Sequence, residues 1–165
     1  MGPVRILDTA ALISWPLEMI RRGMALDSQR TEVSRVAGDR LVMLEAAELQ
    51  WSNPSEESWQ RAKEIAIETG DIAGLSEVDL GLIALAIEFR GEICSDDYRI
   101  QNVCEVARLE WSPVSTDGIT EPWSWEVRCT ACELVHEIPR ETMPESERIG
   151  ECRECGSQLS IKRRM

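Results

Sequence analysis

The sequence lacks a long apolar run, an excess of basic charge and, almost entirely, histidine and lysine. No stretch of its 165 residues approaches the roughly 20 apolar residues that a membrane-spanning helix needs. The first residues also lack the basic region, apolar stretch and small-residue cleavage site of a secretion signal. A single histidine, His136, leaves little scope for catalysis by a histidine base. These absences favour a cytoplasmic protein that does not act at a membrane.

The shortage of positive charge is uneven along the chain. The formal net charge is -12 at pH 7, and residues 1–125 carry 22 acidic against 11 basic side chains. Residues 126–165 carry 8 acidic and 7 basic side chains, and Lys63 and Lys162 are the only lysines. Such acidity argues at first sight against a nucleic-acid ligand, and it is typical either of a salt-rich cytosol or simply of an acidic protein.

The positive charge that the chain does have is best placed for phosphate contacts near the C-terminus. A charged cluster of this kind is also commonly just a solvated surface. The candidate RNA-binding residues are Arg128, Arg153, Lys162, Arg163 and Arg164.

Four of the six cysteines form two C-x-x-C pairs near the C-terminus. Cys129 and Cys132 make the first pair, Cys152 and Cys155 make the second, and 19 residues lie between the pairs. This spacing is typical of a four-cysteine zinc site, because two intervening residues let both sulfurs of a pair face one ion. The sequence therefore predicts one structural zinc in a small C-terminal β ribbon. Two disulfides are the alternative, but nothing in the sequence suggests an oxidising compartment.

Residues 1–114 alternate between short apolar strands and helices. The predicted strands are VRIL (4–7), GMAL (23–26), EICS (92–95) and LEWSPV (109–114). Residues 40–51 are ambiguous between strand and helix. The alternation predicts an α/β fold with a parallel sheet flanked by helices. The turn-rich residues 115–124 are the predicted linker, and residues 125–165 the zinc ribbon with a basic tail.

Acidic residues recur where such a fold places its ligands. Asp8 follows the first strand, and Asp96 and Asp97 follow a later strand. Glu32 lies in the helix after the second strand, and Asp79 lies in the first turn of an apolar helix. Any one of them could be a helix cap or a partner of the helix dipole. If they converge at the carboxyl edge of the sheet, they would repel one another unless divalent cations such as Mg²⁺ or Mn²⁺ bound there.

Three segments carry a resemblance to a known family. They are LDTAALI (7–13), LSEVDLGLIALAIE (75–88) and CSDDYRIQNV (94–103). These segments resemble the motifs of PIN-domain nucleases. Within those, the chain is similar to the Nob family of ribosomal RNA endonucleases, which join a PIN domain to a zinc ribbon. TGDIAGLSEVD (69–79) is among the most specific stretches, RTEVSR (30–35) matches the segment with the family's helical glutamate, and residues 36–60 match least.

The resemblance implies a set of site residues and a substrate. The implied catalytic acids are Asp8, Glu32, Asp79 and Asp97, with Asp96 as a neighbour that could ligate metal or shape the site. Glu45 and Glu48 are alternatives to Glu32 as the match for the family's helical glutamate. The implied cofactors are Mg²⁺ or Mn²⁺ ions that activate water against a phosphodiester. The implied substrate is single-stranded precursor RNA at the 3′ end of the small-subunit ribosomal RNA, within the assembling small ribosomal subunit.

Two alternatives to this function remain open. A toxin-type PIN ribonuclease would share the acids, but such proteins usually lack a ribbon. A non-catalytic zinc-ribbon adaptor that binds RNA in ribosome assembly would not need an intact set of acids. Trp123 and Trp125 also allow two roles, since they could pack the ribbon onto the first domain or stack on unpaired RNA bases.

Overall fold

The computed structural model describes residues 2–115, 118, 121, 124–142 and 149–164. The helices are α1 (Thr9–Ser14), α2 (Leu17–Ile20), α3 (Gln29–Ala46), α4 (Glu56–Thr69), α5 (Glu77–Phe89) and α6 (Tyr98–Ala107), with a 3₁₀ turn at Ile72–Gly74. The strands are β1 (Arg5–Leu7), β2 (Met24–Leu26), β3 (Gln50–Ser52), β4 (Glu92–Cys94), β5 (Trp111–Ser112), β6 (Trp125–Cys129), β7 (Val135–His136) and β8 (Leu159–Arg163). Among the helices of the described residues, none is long and apolar enough to span a bilayer.

The first five strands form one parallel sheet in the order β3-β2-β1-β4-β5. The chain first moves outward from β1 to β3 and then returns to the other side of β1 with β4 and β5. This reversal puts a topological switch point between β1 and β4, where open α/β sheets bind their ligands. The predicted α/β fold with a parallel sheet is therefore confirmed.

The central strands are buried on both faces, which explains their continuous apolar sequence. Successive side chains of a strand point to opposite faces, so Ile6 and Ile93 pack in one core and Leu7 and Cys94 in the other. The first core lies against α4, α5 and α6, and the second lies against α1 and α3. In α5, residues 80–86 are all buried, as its almost wholly apolar sequence predicts.

Two segments differ from the sequence expectation in their bounds. The ambiguous residues 40–51 divide between the end of α3 and the start of β3. Helix α3 shows little periodicity because it is kinked at Ala37 and leaves Val42 exposed, so the pattern there could not identify it. Strand β5 is only two residues long, because as an edge strand it pairs with β4 at Trp111 and Ser112 alone.

The C-terminal region forms a separate antiparallel sheet in the order β7-β6-β8. Most of the predicted basic tail belongs to this sheet, since β8 extends to Arg163. Trp125, the first residue of β6, packs against the N-terminal domain, with the guanidinium carbon of Arg99 4.9 Å from its ring centroid. Trp123 and most of the predicted linker lie outside the described residues.

Two glycines provide a matched test of how closely the turn between α5 and β4 packs against β1. A Cβ on Gly91 would lie 2.7 Å from the carbonyl oxygen of Val4 and 2.9 Å from Cγ1 of Ile6, whereas a Cβ on Gly38 in α3 would meet nothing within 4 Å. We expect Gly91→Ala to lower the free energy of unfolding by about 1–3 kcal/mol, because it overpacks the α5–β4 turn against β1. Gly38→Ala should raise it by about 0.5–1 kcal/mol, because alanine favours the helix. Urea unfolding measures both, and equal effects of the two changes would contradict the packing described here.

Candidate active site and cysteine cluster

A cleft at the carboxyl ends of β1 and β4 gathers four carboxylates. Asp8 directly follows β1, and Asp97 follows β4 by three residues. Glu32 lies in the first turn of α3, and Asp79 lies in the first turn of α5. These side chains line one cleft of about 340 Å³, together with Thr9 and Ser95 among others. The structure thus brings together the acids that the family resemblance implied: Asp8, Glu32, Asp79 and Asp97.

Local helix starts hold three of these acids in place. Asp8 caps α1 and accepts a hydrogen bond from the Ala11 amide at 2.8 Å, and Asp97 caps α6 and accepts from the Arg99 amide at 2.8 Å. Asp79 accepts from the amide of Ser76 at 2.7 Å, while its own amide donates to the Ser76 hydroxyl at 3.1 Å. Helix N-termini favour negative side chains, so the fold can orient these carboxylates before anything binds.

The fourth acid is held by a chain of side-chain hydrogen bonds. The Thr9 hydroxyl donates to Glu32 Oε2 at 2.9 Å, and it lies 3.2 Å from Nε2 of the buried Gln29. Gln29 also donates to the Leu7 carbonyl at 3.1 Å and accepts from the Leu26 amide at 2.8 Å. It therefore links the ends of β1 and β2 to Glu32. Gln29 and Thr9 were not predicted as site residues, although a glutamine three residues before Glu32 on the same helix was a usable signal.

The competing acids have partners elsewhere. Glu45 forms an ion pair with Arg30 at 2.9 Å, and Glu48 forms one with Arg21 at 3.1 Å. Neither glutamate lines the cleft, so Glu32 is the acid of α3 that joins the other three there.

Asp96, the neighbour expected either to ligate metal or to shape the site, has hydrogen-bond partners in the segment after β5. Its carboxylate accepts hydrogen bonds from the amide of Val114 at 2.8 Å and from the hydroxyl of Ser115 at 2.6 Å. It therefore secures the segment that follows β5. Asp96 also acts on Asp8 in two opposing ways, because its negative charge raises the pKa of Asp8 and the hydrogen bond from its backbone amide lowers it.

The cleft is electrostatically unfavourable as it stands. Burial raises the pKa of Asp8, although hydrogen bonds from Ala11 and Ser95 oppose this. Burial also raises the pKa of Asp79, and the nearby charges of Asp97 and Asp8 raise it further. Desolvated carboxylates that repel one another are stabilised by a cation, and a set made only of carboxylate oxygens fits Mg²⁺ or Mn²⁺. The residues present therefore fit a divalent metal site.

The two C-x-x-C pairs meet as predicted. The sulfur atoms of Cys129, Cys132, Cys152 and Cys155 all lie within 4.8 Å of one another. Cys129 and Cys155 are 3.4 Å apart, and Cys132 and Cys152 are 3.6 Å apart, as free thiols rather than disulfides. A tetrahedral ion with bonds of about 2.3 Å would separate the sulfurs by roughly 3.8 Å, so the cluster can close around one zinc.

The hydrogen bonds around the second cysteine pair favour metal binding. The hydroxyl and amide of Ser157 lower the pKa of Cys155, which favours the thiolate form that binds metals. Cys94 and Cys104 are buried in the N-terminal domain, and burial raises the pKa of Cys94 to about 11. They are core residues rather than ligands.

Comparison with known proteins identifies the family. A family model described as the PIN domain of ribonuclease matches residues 6–89, which contain three of the four cleft acids. The chain belongs to the PIN-domain ribonucleases, and within them it is of the archaeal Nob type. The PIN domain therefore occupies the N-terminal part of the chain.

Three relatives illustrate this similarity. Endoribonuclease Nob1 of Methanothermobacter thermautotrophicus is 29% identical over 165 residues, covering 96% of this chain and 92% of the relative. Endoribonuclease Nob1 of Pyrococcus abyssi is 29% identical over 157 residues, covering 94% of this chain and 91% of the relative. Ribonuclease VapC1 of Thermoplasma acidophilum is 28% identical over 140 residues, covering 84% of this chain and 72% of the relative.

Several basic residues of the ribbon are partly neutralised by glutamates of the ribbon and of the predicted linker. Arg128 pairs with Glu126 at 2.6 Å, and Arg164 lies 3.8 Å from the same carboxylate. Arg163 pairs with Glu121 at 2.8 Å. The other two candidate RNA contacts, Arg153 and Lys162, are exposed and form no ion pair within the described residues. The ribbon thus offers less available positive charge than its composition suggests.

The raised pKa of Asp8 predicts that Asp8→Asn stabilises the metal-free protein. The folded pKa lies above the ordinary value of 3.8. Ionised Asp8 therefore does not destabilise the fold at a pH below the ordinary pKa. Its destabilising effect is complete once the pH has risen above the pKa of the folded state. Asparagine is a good helix N-cap, so the hydrogen bond from Ala11 can persist. We expect Asp8→Asn to raise the Tm by about 2–4 °C near pH 7 and by less near pH 4.

Thermal unfolding of both proteins in a metal chelator that spares the cysteine cluster measures this difference across pH. A stabilisation that stays the same at both ends of the pH range would show that charge burial at Asp8 is not its cause.

Proposed function

We propose that this protein is a divalent-metal-dependent endoribonuclease that matures the 3′ end of small-subunit ribosomal RNA. It hydrolyses a phosphodiester of single-stranded precursor RNA on the assembling small ribosomal subunit in the cytoplasm. The observation that carries this proposal is the convergence of four carboxylates in one cleft of a PIN domain. The two relatives named Endoribonuclease Nob1, which align over almost the whole chain, support it.

The proposed mechanism assigns the cleft acids to metal binding. Asp8, Glu32, Asp79 and Asp97 would hold Mg²⁺ or Mn²⁺, with the scissile phosphate beside them. When bound, such ions lower the pKa of a water molecule and stabilise the charge that develops on the phosphate. The helix caps and the Gln29–Thr9–Glu32 hydrogen bonds keep the acids oriented, so little reorganisation is needed when RNA arrives. The products would be a 3′-hydroxyl and a 5′-phosphate.

The ribbon is proposed to hold a neighbouring part of the RNA. The PIN domain is strongly acidic, so phosphate contacts have to come mainly from the C-terminal region. Arg153 and Lys162 are the cations best available for this role. Arg128, Arg163 and Arg164 would contribute by exchanging a carboxylate partner for a phosphate.

One observation favours a second candidate function. The similarity to Ribonuclease VapC1 of Thermoplasma acidophilum is compatible with a toxin-type ribonuclease that cleaves other RNAs. The four-cysteine cluster weighs against it, because toxins of that class are usually a PIN domain alone. The two candidates differ in substrate, so a comparison of RNAs distinguishes them.

The cleavage reaction tests the proposal directly. Purified full-length protein should cut a precursor RNA that spans the 3′ end of the small-subunit ribosomal RNA when Mn²⁺ is present. Asp8→Asn should lower kcat by more than about a hundredfold, because loss of a ligand costs more than loss of a residue that orients a ligand. The Kd for RNA should change little. Asp39→Asn provides the matched control, because Asp39 is an exposed acid of α3 that does not line the cleft.

Each contrary outcome has a distinct meaning. Undiminished cleavage by Asp8→Asn would reject the carboxylate cleft as the active site. Equal cleavage of unrelated RNAs would favour the toxin-type function. Tight RNA binding without cleavage in Mg²⁺ or Mn²⁺ would favour the adaptor function.

We also propose that the cysteine cluster holds one structural zinc. Elemental analysis should find about one zinc per chain. Cys152→Ser should lose this zinc and disorder the ribbon, while the PIN domain stays folded on circular dichroism, because the small sheet has little core without the ion. Cys104→Ala is the control, since it removes a cysteine outside the cluster and should keep the zinc. Full zinc content in Cys152→Ser, or disulfides in the parent, would contradict the proposal.

A further inference from the structure

The ribbon and the PIN domain meet at the turn that ends α4. Gly70 caps α4 with a φ of 82°, in the left-handed region that favours glycine. A Cβ there would lie 2.7 Å from the carbonyl oxygen of Trp125 and 3.1 Å from Cδ1 of Ile138. Both of these residues belong to the C-terminal region. The two parts of the chain are therefore in close contact at this turn, without room for one extra methyl group.

A buried carboxylate lies directly beside this contact. Asp71 is 0% exposed, and its Oδ2 accepts a hydrogen bond from Asn102 Nδ2 at 2.7 Å. Its Oδ1 lies 3.9 Å from an amino nitrogen of Arg99, at ion-pair distance. The Arg99 guanidinium in turn lies against the ring of Trp125. A buried charge is costly unless it is paired and hydrogen-bonded, so these contacts are needed to keep Asp71 in place.

Two partners of the Asp71 carboxylate, Arg99 and Asn102, belong to α6, while Thr69 of α4 and Trp125 of β6 also hydrogen-bond to it. Arg99 and Asn102 are three residues apart, so they lie on one face of the first turns of this helix. The same turn begins at Asp97, whose carboxylate accepts from the Arg99 amide at 2.8 Å and whose carbonyl accepts from the Gln101 amide at 3.0 Å. Asp71 thus holds the start of α6 through the side chains of Arg99 and Asn102. Asp97, which caps the same helix, lines the acidic cleft.

We propose that Asp71 is a positioning residue for Asp97, and that Trp125 of the ribbon completes its action by covering Arg99 and the Asp71 carboxylate. Docking of the ribbon then helps to set the position of a cleft carboxylate, so the ribbon is part of the nuclease site as well as an RNA-binding module. The statement that Asp97 acts as a metal ligand rests on the proposed function. The statement that Asp71 and Trp125 fix the start of α6 does not.

Trp125 affects α6 because the ion pair between Asp71 and Arg99 depends on the indole that covers it. The Asp71 carboxylate is 0% exposed and the Arg99 side chain 31% exposed. Without the indole of Trp125, water would reach the carboxylate and more of Arg99, and their attraction would weaken as the local dielectric constant rises. Arg99 would then leave the turn, since it is a long side chain with rotamer freedom to regain. A Cβ on Gly74 would collide with the Arg99 guanidinium, so the guanidinium also packs closely against the 3₁₀ turn.

Amide hydrogen exchange of the full chain, without added Mg²⁺ or Mn²⁺, tests whether Asp71 and Trp125 fix the start of α6, which is the positional part of the proposal. In Asp71→Asn and in Trp125→Ala, the amides of Arg99 and Gln101 should exchange about tenfold faster than in the parent. Trp125→Phe keeps an aromatic ring over Arg99 and should stay near the parent rate. Glu141→Gln is the matched control, because it removes the 2.8 Å ion pair between Lys63 and the C-terminal region without touching α6. Parent exchange rates at these amides in either Asp71→Asn or Trp125→Ala would overturn the proposal.

Binding of Mn²⁺ alone tests the consequence for the cleft, at a temperature where all variants are folded. The Kd for Mn²⁺ should rise about tenfold in Asp71→Asn and Trp125→Ala, as expected for residues that orient ligands, and stay unchanged in Glu141→Gln. With RNA, Asp71→Asn should lower kcat more than it changes KM. A loss of Tm with parent Mn²⁺ affinity would mean that Asp71 is merely structural. If the parent neither binds Mn²⁺ nor cleaves RNA, the proposed function fails, and the exchange rates still decide the positional part.

Discussion

Parallel pairing of β1 with β4 is the constraint on which the site depends. The two strands run side by side with Leu7 opposite Cys94, and the Asp8 amide donates to the Cys94 carbonyl at 3.1 Å. Because parallel strands end at the same edge, the acids that follow β1 and β4 are brought together without any further contact between them. Helices α3 and α5 then start at this edge and add Glu32 and Asp79. Repulsion among these carboxylates destabilises the metal-free protein, and binding of a cation can remove this destabilisation.

Local sequence signals were sufficient for most of the fold, while the choice of the four acids that line the cleft came from the family resemblance. Short apolar runs that end in an acid identified β1 and β4, and the apolar run after Asp79 identified α5. The cysteine spacing identified the cluster because the two residues within each C-x-x-C pair let both sulfurs face one ion. These features depend on residues close together in the chain, so a linear pattern can reveal them.

The features that sequence could not supply depend on tertiary packing. Gln29 and Asp71 are both wholly buried, yet each is a polar residue that a linear pattern would place at the surface. Asp96 and Asp97 are adjacent and chemically equivalent, and consecutive side chains of an extended segment point in different directions. Only the position of β5 determines that Asp96 turns to Ser115 while Asp97 faces the cleft. Residues 40–51 were ambiguous because α3 leaves apolar residues exposed there.

The glutamates beside the ribbon's arginines have a consequence for discrimination between RNAs. Arg128 and Arg164 share Glu126, and Arg163 has Glu121, so an approaching phosphate competes with a carboxylate that is already in place. An ion pair that forms only by replacing another gains little from charge alone. If the ribbon binds RNA as proposed, random RNA, which offers phosphates without a complementary shape, would therefore be held weakly. The internal carboxylates would compete with phosphates and so favour selective over general binding of nucleic acids.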